Sequence, residues 1–299
     1  MSDWPVGLST GCFYQMSIFD CLEPVRKSGF NLVEICSSPG HLNFHDLKTV
    51  SKASQMLDKL GMEAYSFHAP FLDVDISSPD IAHKEYSLHE LITAAEAAAI
   101  LKVRHFVIHP GPDKTLNLST EERMQRLRNA AAVLDKVAFK CSQLNVRLAL
   151  ENMLPHLPFG SITDMLWIIG AMDCLNITTC LDTGHAALSG DLYKVLYKLS
   201  GNLRMIHVND NLGTDDDHLA PGKGKINWQK VLFELSETSF HGGFILELAC
   251  SHGNDTDMTL ENALNARLFL RNIARNLYLS SPPSVEVATK QGDDNMPQH

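Results

Sequence analysis

Ile177-Thr-Thr-Cys-Leu-Asp182-Thr-Gly-His185 decides how the rest of this 299-residue chain reads. A short β-branched and apolar run stops on a carboxylate, and an imidazole follows three residues later. The same ending recurs along the chain. Met62–Phe67 stops at His68, Phe106–Ile108 at His109, Val146–Leu150 at Glu151, Leu203–Ile206 at His207 and Phe244–Leu246 at Glu247. Runs of this length and composition predict parallel strands covered on both faces. Strands that deliver His, Asp and Glu from their C-terminal ends to one point predict a metal centre at the mouth of a parallel barrel.

Eight strands are predicted: Val6–Thr10, Leu32–Cys36, Met62–His68, His105–His109, Val146–Glu151, Ile177–Asp182, Arg204–Val208 and Phe244–Leu248. Helix signals fill the intervals. Asp46–Leu60 stops at Gly61, a C-terminal glycine stop. Ser78-Pro79 opens Asp80–Leu101 with proline at the first helical position. Ser119-Thr-Glu-Glu122 is a capping box for a helix to about Gln143. Ser161, Asp191 and Asn227 are candidate caps for shorter helices, and Thr259–Leu279 is the last. This alternation predicts an α/β fold, a single (β/α)8 barrel over residues 1–280. The polar, proline-containing stretch 281–299 is expected to be a disordered tail.

Composition narrows the function classes. A net charge of −10 argues against a basic nucleic-acid surface. The seven cysteines form no C-x-x-C pair, which predicts free, buried thiols in a reducing compartment. The first residues, MSDWPVG, lack the features of a signal peptide, and no apolar run reaches the roughly 20 residues of a membrane span. A cytoplasmic protein is the expectation.

The candidate chemistry sits at the strand ends. Asp182 and His185 suit two ligands, or one ligand with a supporting hydrogen bond; the alternative is an Asp capping the next helix beside a solvated His. Glu151 and Glu247 end buried strands, where an unpaired carboxylate is costly. On opposed strands they suit proton removal on one face of a carbon and return on the other. After the seventh strand, Asn209 to Gly224 is an acidic, glycine-containing loop. It reads either as a solvated turn or as a segment carrying Asp216 and His218 to the metal, with Gly222 and Gly224 letting backbone pass close to a ligand. His68 and His109 read as structural histidines or further ligands. The other nine histidines read as surface or structural, although His41 and His45 could line a substrate pocket.

Together LENM around Glu151, CLDTGHA around Asp182 and His185, IHVND around His207, DDHLAPGKGKINW around His218 and ILELA around Glu247 resemble the xylose isomerase-like barrel superfamily. That group holds sugar phosphate isomerases and epimerases, inosose dehydratases and the endonuclease IV nucleases. The resemblance covers about Val6 to Leu279. By resemblance to its sugar epimerases, one divalent ion would sit on Glu151, Asp182, His207 and Glu247. By resemblance to endonuclease IV, nine ligands would hold three zinc ions, with His68, His109, His185, Asp216 and His218 added. The turn Asn152-Met-Leu-Pro-His-Leu-Pro158 differs from the Gly/Gln-rich turn of the nucleases. The mouth loops also lack the Arg/Lys clusters that would grip DNA phosphates.

The resemblance implies a metal-dependent sugar or sugar phosphate isomerase or epimerase acting through an enediolate, with Glu151 and Glu247 as acid and base. His185 and Lys223 would contact substrate, and zinc or manganese would be the cofactor. It implies a small-molecule sugar partner rather than nucleic acid or membrane, and a homo-oligomer. The alternatives are a three-zinc phosphodiesterase acting on abasic DNA and a non-catalytic sugar-binding barrel.

Overall fold

A computed structural model describes residues 4–249 and 255–280. Eight parallel strands close into one barrel in sequence order: β1 (Val6–Ser9), β2 (Leu32–Cys36), β3 (Glu63–His68), β4 (His105–Ile108), β5 (Arg147–Glu151), β6 (Ile177–Asp182), β7 (Leu203–Val208) and β8 (Gly243–Leu246). Closure comes from β8 pairing with β1, Val6 opposite Phe244 and Leu8 opposite Leu246. A closed barrel leaves no strand edge exposed.

The helices are α1 (Ile18–Lys27), α2 (Leu47–Leu60), α3 (Ile81–Ile100), α4 (Thr120–Gln143), α5 (Ile162–Gly170), α6 (Thr183–Leu188), α7 (Leu192–Leu199), α8 (Trp228–Ser236) and α9 (Thr256–Ser280). Local chemistry fixes their ends. Ser119 and Glu122 form the full reciprocal capping box at α4, and Gly61 ends α2 at φ +63° in the left-handed region that favours glycine. Asp191 and Asn227 cap α7 and α8. At α3 the expectation is corrected. Asp80 is the cap, accepting from the amides of Ala82 and His83, so Pro79 lies outside the helix. Thr10 leaves β1 to start a 3-10 turn, Thr10–Phe13.

Two apolar layers hold the barrel. Outside, the helices press buried residues such as Leu134, Val137, Ile168 and Val231 against the strands. Inside, Leu32, Tyr65, Val107, Ala149, Cys180, Met205 and Ile245 form a separate plug below the mouth. Cys12, Cys21, Cys141 and Cys180 are buried; Cys36 and Cys174 are only half-buried, short of the expected full burial. Among the described residues no helix is long and apolar enough to cross a membrane. Cys250, His252, His299 and the tail from residue 281 lie outside the described residues.

Candidate metal centre

Strand pleating builds the site from the plug upward. Side chains two residues apart share a face. Above plug residues Leu32, Val107, Ala149, Cys180, Met205 and Ile245 therefore stand Glu34, His109, Glu151, Asp182, His207 and Glu247. On β3 the pairing with β2 skips Tyr65: Val33 lies opposite Ala64, but Glu34 lies opposite Ser66. This irregularity brings Ser66 and His68 into the same polar layer. The apolar runs thus end on ligands because the barrel is filled below and open above.

Three sets of donor atoms converge, each within 4.8 Å of one another: Glu151, Asp182, His207 and Glu247; His68, His109 and Glu151; and His185, Asp216 and His218. Glu151 belongs to two sets. His207 Nδ1 lies 2.9 Å from Glu151 Oε1 and 3.3 Å from Glu247 Oε2. Glu151 Oε2 lies 3.4 and 3.5 Å from Nε2 of His68 and His109. Asp216 Oδ2 lies 3.4 and 3.1 Å from Nε2 of His185 and His218.

The imidazoles are oriented as metal ligands are. Nδ1–H of His68 donates to the Ala69 carbonyl at 2.9 Å, that of His185 to Asn152 at 2.8 Å and that of His218 to Glu247 at 3.0 Å. Each bond fixes the tautomer and leaves Nε2 free to face its set. Glu151 Oε2 and Asp216 Oδ1 are buried without a hydrogen-bond partner, an arrangement costly for carboxylate oxygens unless a cation meets them. The donor set fits divalent metal at Glu151, Asp182, His207 and Glu247, and the two further sets have the same ligand chemistry.

Asp182 combines both roles considered from sequence. It caps α6, its Oδ1 accepting from the His185 amide at 2.7 Å, while Oδ2 accepts from Asn209 Nδ2 at 2.7 Å. It also belongs to the central set. α6 is therefore a six-residue helix that starts on a candidate ligand.

Without metal, the charges lean on one another. Burial opposes ionisation of Glu151, yet His207, His109 and His68 hold its carboxyl well below the usual range. Burial also opposes protonation of His68, His185 and His218. The facing carboxylates outweigh it, raising His68 and His218 to about 9 and His185 to about 10. Glu247 moves the other way: burial pushes it up to about 7, His207 opposing and the Glu34 and Glu151 carboxylates adding. A carboxyl poised near neutrality can both take and give a proton.

Asp210 organises the loop that carries Asp216 and His218. Its carboxylate accepts from the amides of Asn211, Gly222 and Ile226 and from Trp228 Nε1. A side chain at Gly224 would collide with that carboxylate and with the Asn211 carbonyl. Gly222, at φ +87°, packs against Phe269. These glycines serve the loop's own packing.

The three sets open into a cavity of about 700 Å³, walled by the loops after β1, β2, β3 and β5 and by α3. His185 lines it. Lys223 does not; it lines a separate recess of about 230 Å³ with Ala220, Pro221, Gly222, Asn262 and Phe269. His45 lines the cavity and pairs with Glu90 at 3.1 Å. His41 is buried elsewhere, its Nδ1–H donating to the Met16 carbonyl. Sequence reasoning missed Glu34. It is fully buried in mid-strand and takes hydrogen bonds from Ser9, Ser66 and His207 Nε2. Its signal was present in the two-residue spacing from Leu32.

Comparison with known proteins agrees with this architecture. Residues 22–273 match the family model described as xylose isomerase-like TIM barrel. The uncharacterized protein MJ1311 of Methanocaldococcus jannaschii is 27% identical over 252 residues, 82% of this chain and 84% of its own. A probable endonuclease 4 of Aster yellows witches'-broom phytoplasma is 25% identical over 190 residues, 58% of this chain and 63% of its own. Among solved structures, a D-tagatose 3-epimerase-like protein superposes with a TM-score of 0.81 at 23% identity, covering 92% of this chain and 98% of that one.

Proposed function

The chain belongs to the xylose isomerase-like TIM barrel family, and on that premise we propose that it is a metal-dependent isomerase or epimerase of a ketose or related polyol. One observation carries the reading. Glu151 and Glu247 both flank His207 at the floor of a cavity large enough for a small molecule, within a four-residue set suited to one divalent ion.

Zinc or manganese bound to Glu151, Asp182, His207 and Glu247 would polarise a carbonyl and its neighbouring hydroxyl, making the intervening C–H more acidic. One of the two glutamates takes that proton, leaving an enediolate, and the other returns a proton to the opposite face or to the adjacent carbon. Glu247 lines the cavity as well as belonging to the central set, so its carboxylate is within reach of a substrate held there. His185 faces the same cavity and orients substrate oxygens. Asn152 holds His185 through its carbonyl and bonds to the Asp182 backbone through its amide, so ring and substrate contact move as one unit.

The test is exchange of the carbon-bound proton for deuterium in D2O, followed by NMR over a ketose panel with metal-loaded protein. Glu151→Gln and Glu247→Gln should each lower exchange by about 10²- to 10⁴-fold. Full exchange in both variants would remove the glutamates from proton transfer.

A second reading has its own support. The His68/His109/Glu151 and His185/Asp216/His218 sets supply ligands for two more ions beside the first, as a three-metal phosphodiesterase requires. Incision of an abasic-site duplex by zinc-loaded protein would favour it. Its absence, together with ketose exchange, would discard it.

A further inference from the structure

The cavity has a one-sided chemistry. Among the described residues no lysine or arginine lines it. Asp73, Glu90 and Asp113 line it in addition to the carboxylates of the metal sets, and the nearby Lys223 belongs to another recess. A dication leaves the three carboxylates of the central set incompletely neutralised. With one ion in the central set and the lining imidazoles neutral, a phosphate ester entering here would meet negative potential, with no guanidinium or ammonium partner among the described wall residues.

What the wall offers instead is apolar. Phe71 starts beside the imidazoles, its ring centroid 5.7 Å from that of His68 and 5.6 Å from that of His109. Leu72 follows it on the same loop, and Tyr86 of α3 and Tyr14 also line the cavity. Leu72 is 68% exposed, Tyr86 49% and Tyr14 45%, so apolar residues of the cavity lining also reach solvent. Exposed apolar groups clustered at a cavity mouth mark a ligand surface, and a volume near 700 Å³ suits a ligand larger than one sugar ring.

We propose that the substrate is an uncharged ketose carrying an apolar, ring-bearing substituent, with the sugar over the metal ring and the substituent along Phe71, Leu72, Tyr86 and Tyr14. This rests on the isomerase or epimerase reading and narrows it. The substituent supplies binding energy away from the reacting carbons, through stacking and burial of apolar area.

Three probes sharing one reacting end test it: D-fructose, D-fructose 6-phosphate and 6-O-benzyl-D-fructose. Deuterium exchange at the carbons flanking the carbonyl gives kcat/KM for each with metal-loaded protein, and thermal stabilisation reports binding separately. The benzyl ether should exceed the phosphate ester by at least about tenfold in kcat/KM, and the Leu72→Ala/Tyr86→Ala double variant should lose about tenfold on the benzyl ether. Preference for the phosphate ester, or a benzyl ether no better than fructose, overturns the proposal and leaves the isomerase reading standing. Binding of all three with no exchange at any carbon overturns the isomerase reading, and this proposal with it.

Discussion

Glu34 Oε2 lies 2.9 Å from His207 Nε2, on the far side of the imidazole from the carboxylates of Glu151 and Glu247. The outer nitrogens of His68, His185 and His218 meet backbone carbonyls, whereas that of His207 meets a carboxylate. A carboxylate in that place fixes the ring so that Nδ1 faces the metal and makes it a stronger donor. Ser9 and Ser66 hold Glu34 in turn, at 3.1 and 2.8 Å. Glu34→Gln keeps the shape and removes the charge. Metal affinity, measured by competition with a chelator, should fall by about 10- to 100-fold while the fold persists. Unchanged affinity would mean that Glu34 only fills space.

Metal uptake should be strongly pH-dependent, with a definite sign. In the metal-free protein burial disfavours charged imidazoles, but the facing carboxylates raise His68 and His218 to about 9 and His185 to about 10. Raised values mean that folding favours the protonated forms. Their contribution is full below the ordinary value of about 6.5 and is lost as pH rises through 9 to 10. Metal needs these nitrogens unprotonated, so binding releases protons and strengthens over the same range. Metal-free protein should therefore lose thermal stability between pH 6.5 and 10, while metal affinity rises. Calorimetric titration in buffers of different ionisation enthalpy checks the proton release; a pH-independent affinity contradicts it.

The residues most legible in sequence were those where composition changes abruptly. His109, Glu151, Asp182, His207 and Glu247 each terminate an apolar run, because the strand leaves the packed barrel at that point. Glu34 was hidden for the opposite reason. It lies inside Leu32-Val-Glu-Ile-Cys36, and only the pleat, which places it above Leu32, assigns it to the mouth. His68 reaches the same layer through the skipped residue Tyr65, a register irregularity with no sequence mark. Lys223 was misleading: it is near His218 in sequence, yet the Asp210-centred loop turns it toward α9 and away from the cavity. Pro79 was read two positions too far into α3 because Asp80, which follows it, is the cap and Ile81 the first helical residue.

Gly224 should be intolerant of a side chain for a reason unrelated to substrate. A methyl group there overlaps the Asp210 carboxylate, which holds four donors of the loop bearing Asp216 and His218. Gly224→Ala should cost about 1–3 kcal/mol, the usual range for overpacking. The melting temperature should drop by several degrees. Metal-dependent stabilisation should shrink further, since two candidate ligands ride on the displaced loop. Wild-type melting behaviour with and without zinc would show that the loop accommodates the methyl group.

The number of ions per chain decides between one centre and several, because the three donor sets make different demands. The central set holds three carboxylates and one imidazole, a hard, oxygen-rich mixture open to manganese or zinc. The two outer sets each pair two imidazoles with one carboxylate, which favours zinc. The central set should therefore fill with either ion, whereas the outer sets should fill in zinc but not in manganese. Elemental analysis after loading with each metal, on protein never exposed to chelator or nickel resin, should give more ions per chain in zinc. His109→Ala and His218→Ala should each remove zinc from an outer set and leave manganese content unchanged. Equal counts in both metals, unaffected by either substitution, would mean that His68, His109, His185 and His218 contact substrate rather than metal, and would remove the support for three-metal hydrolysis.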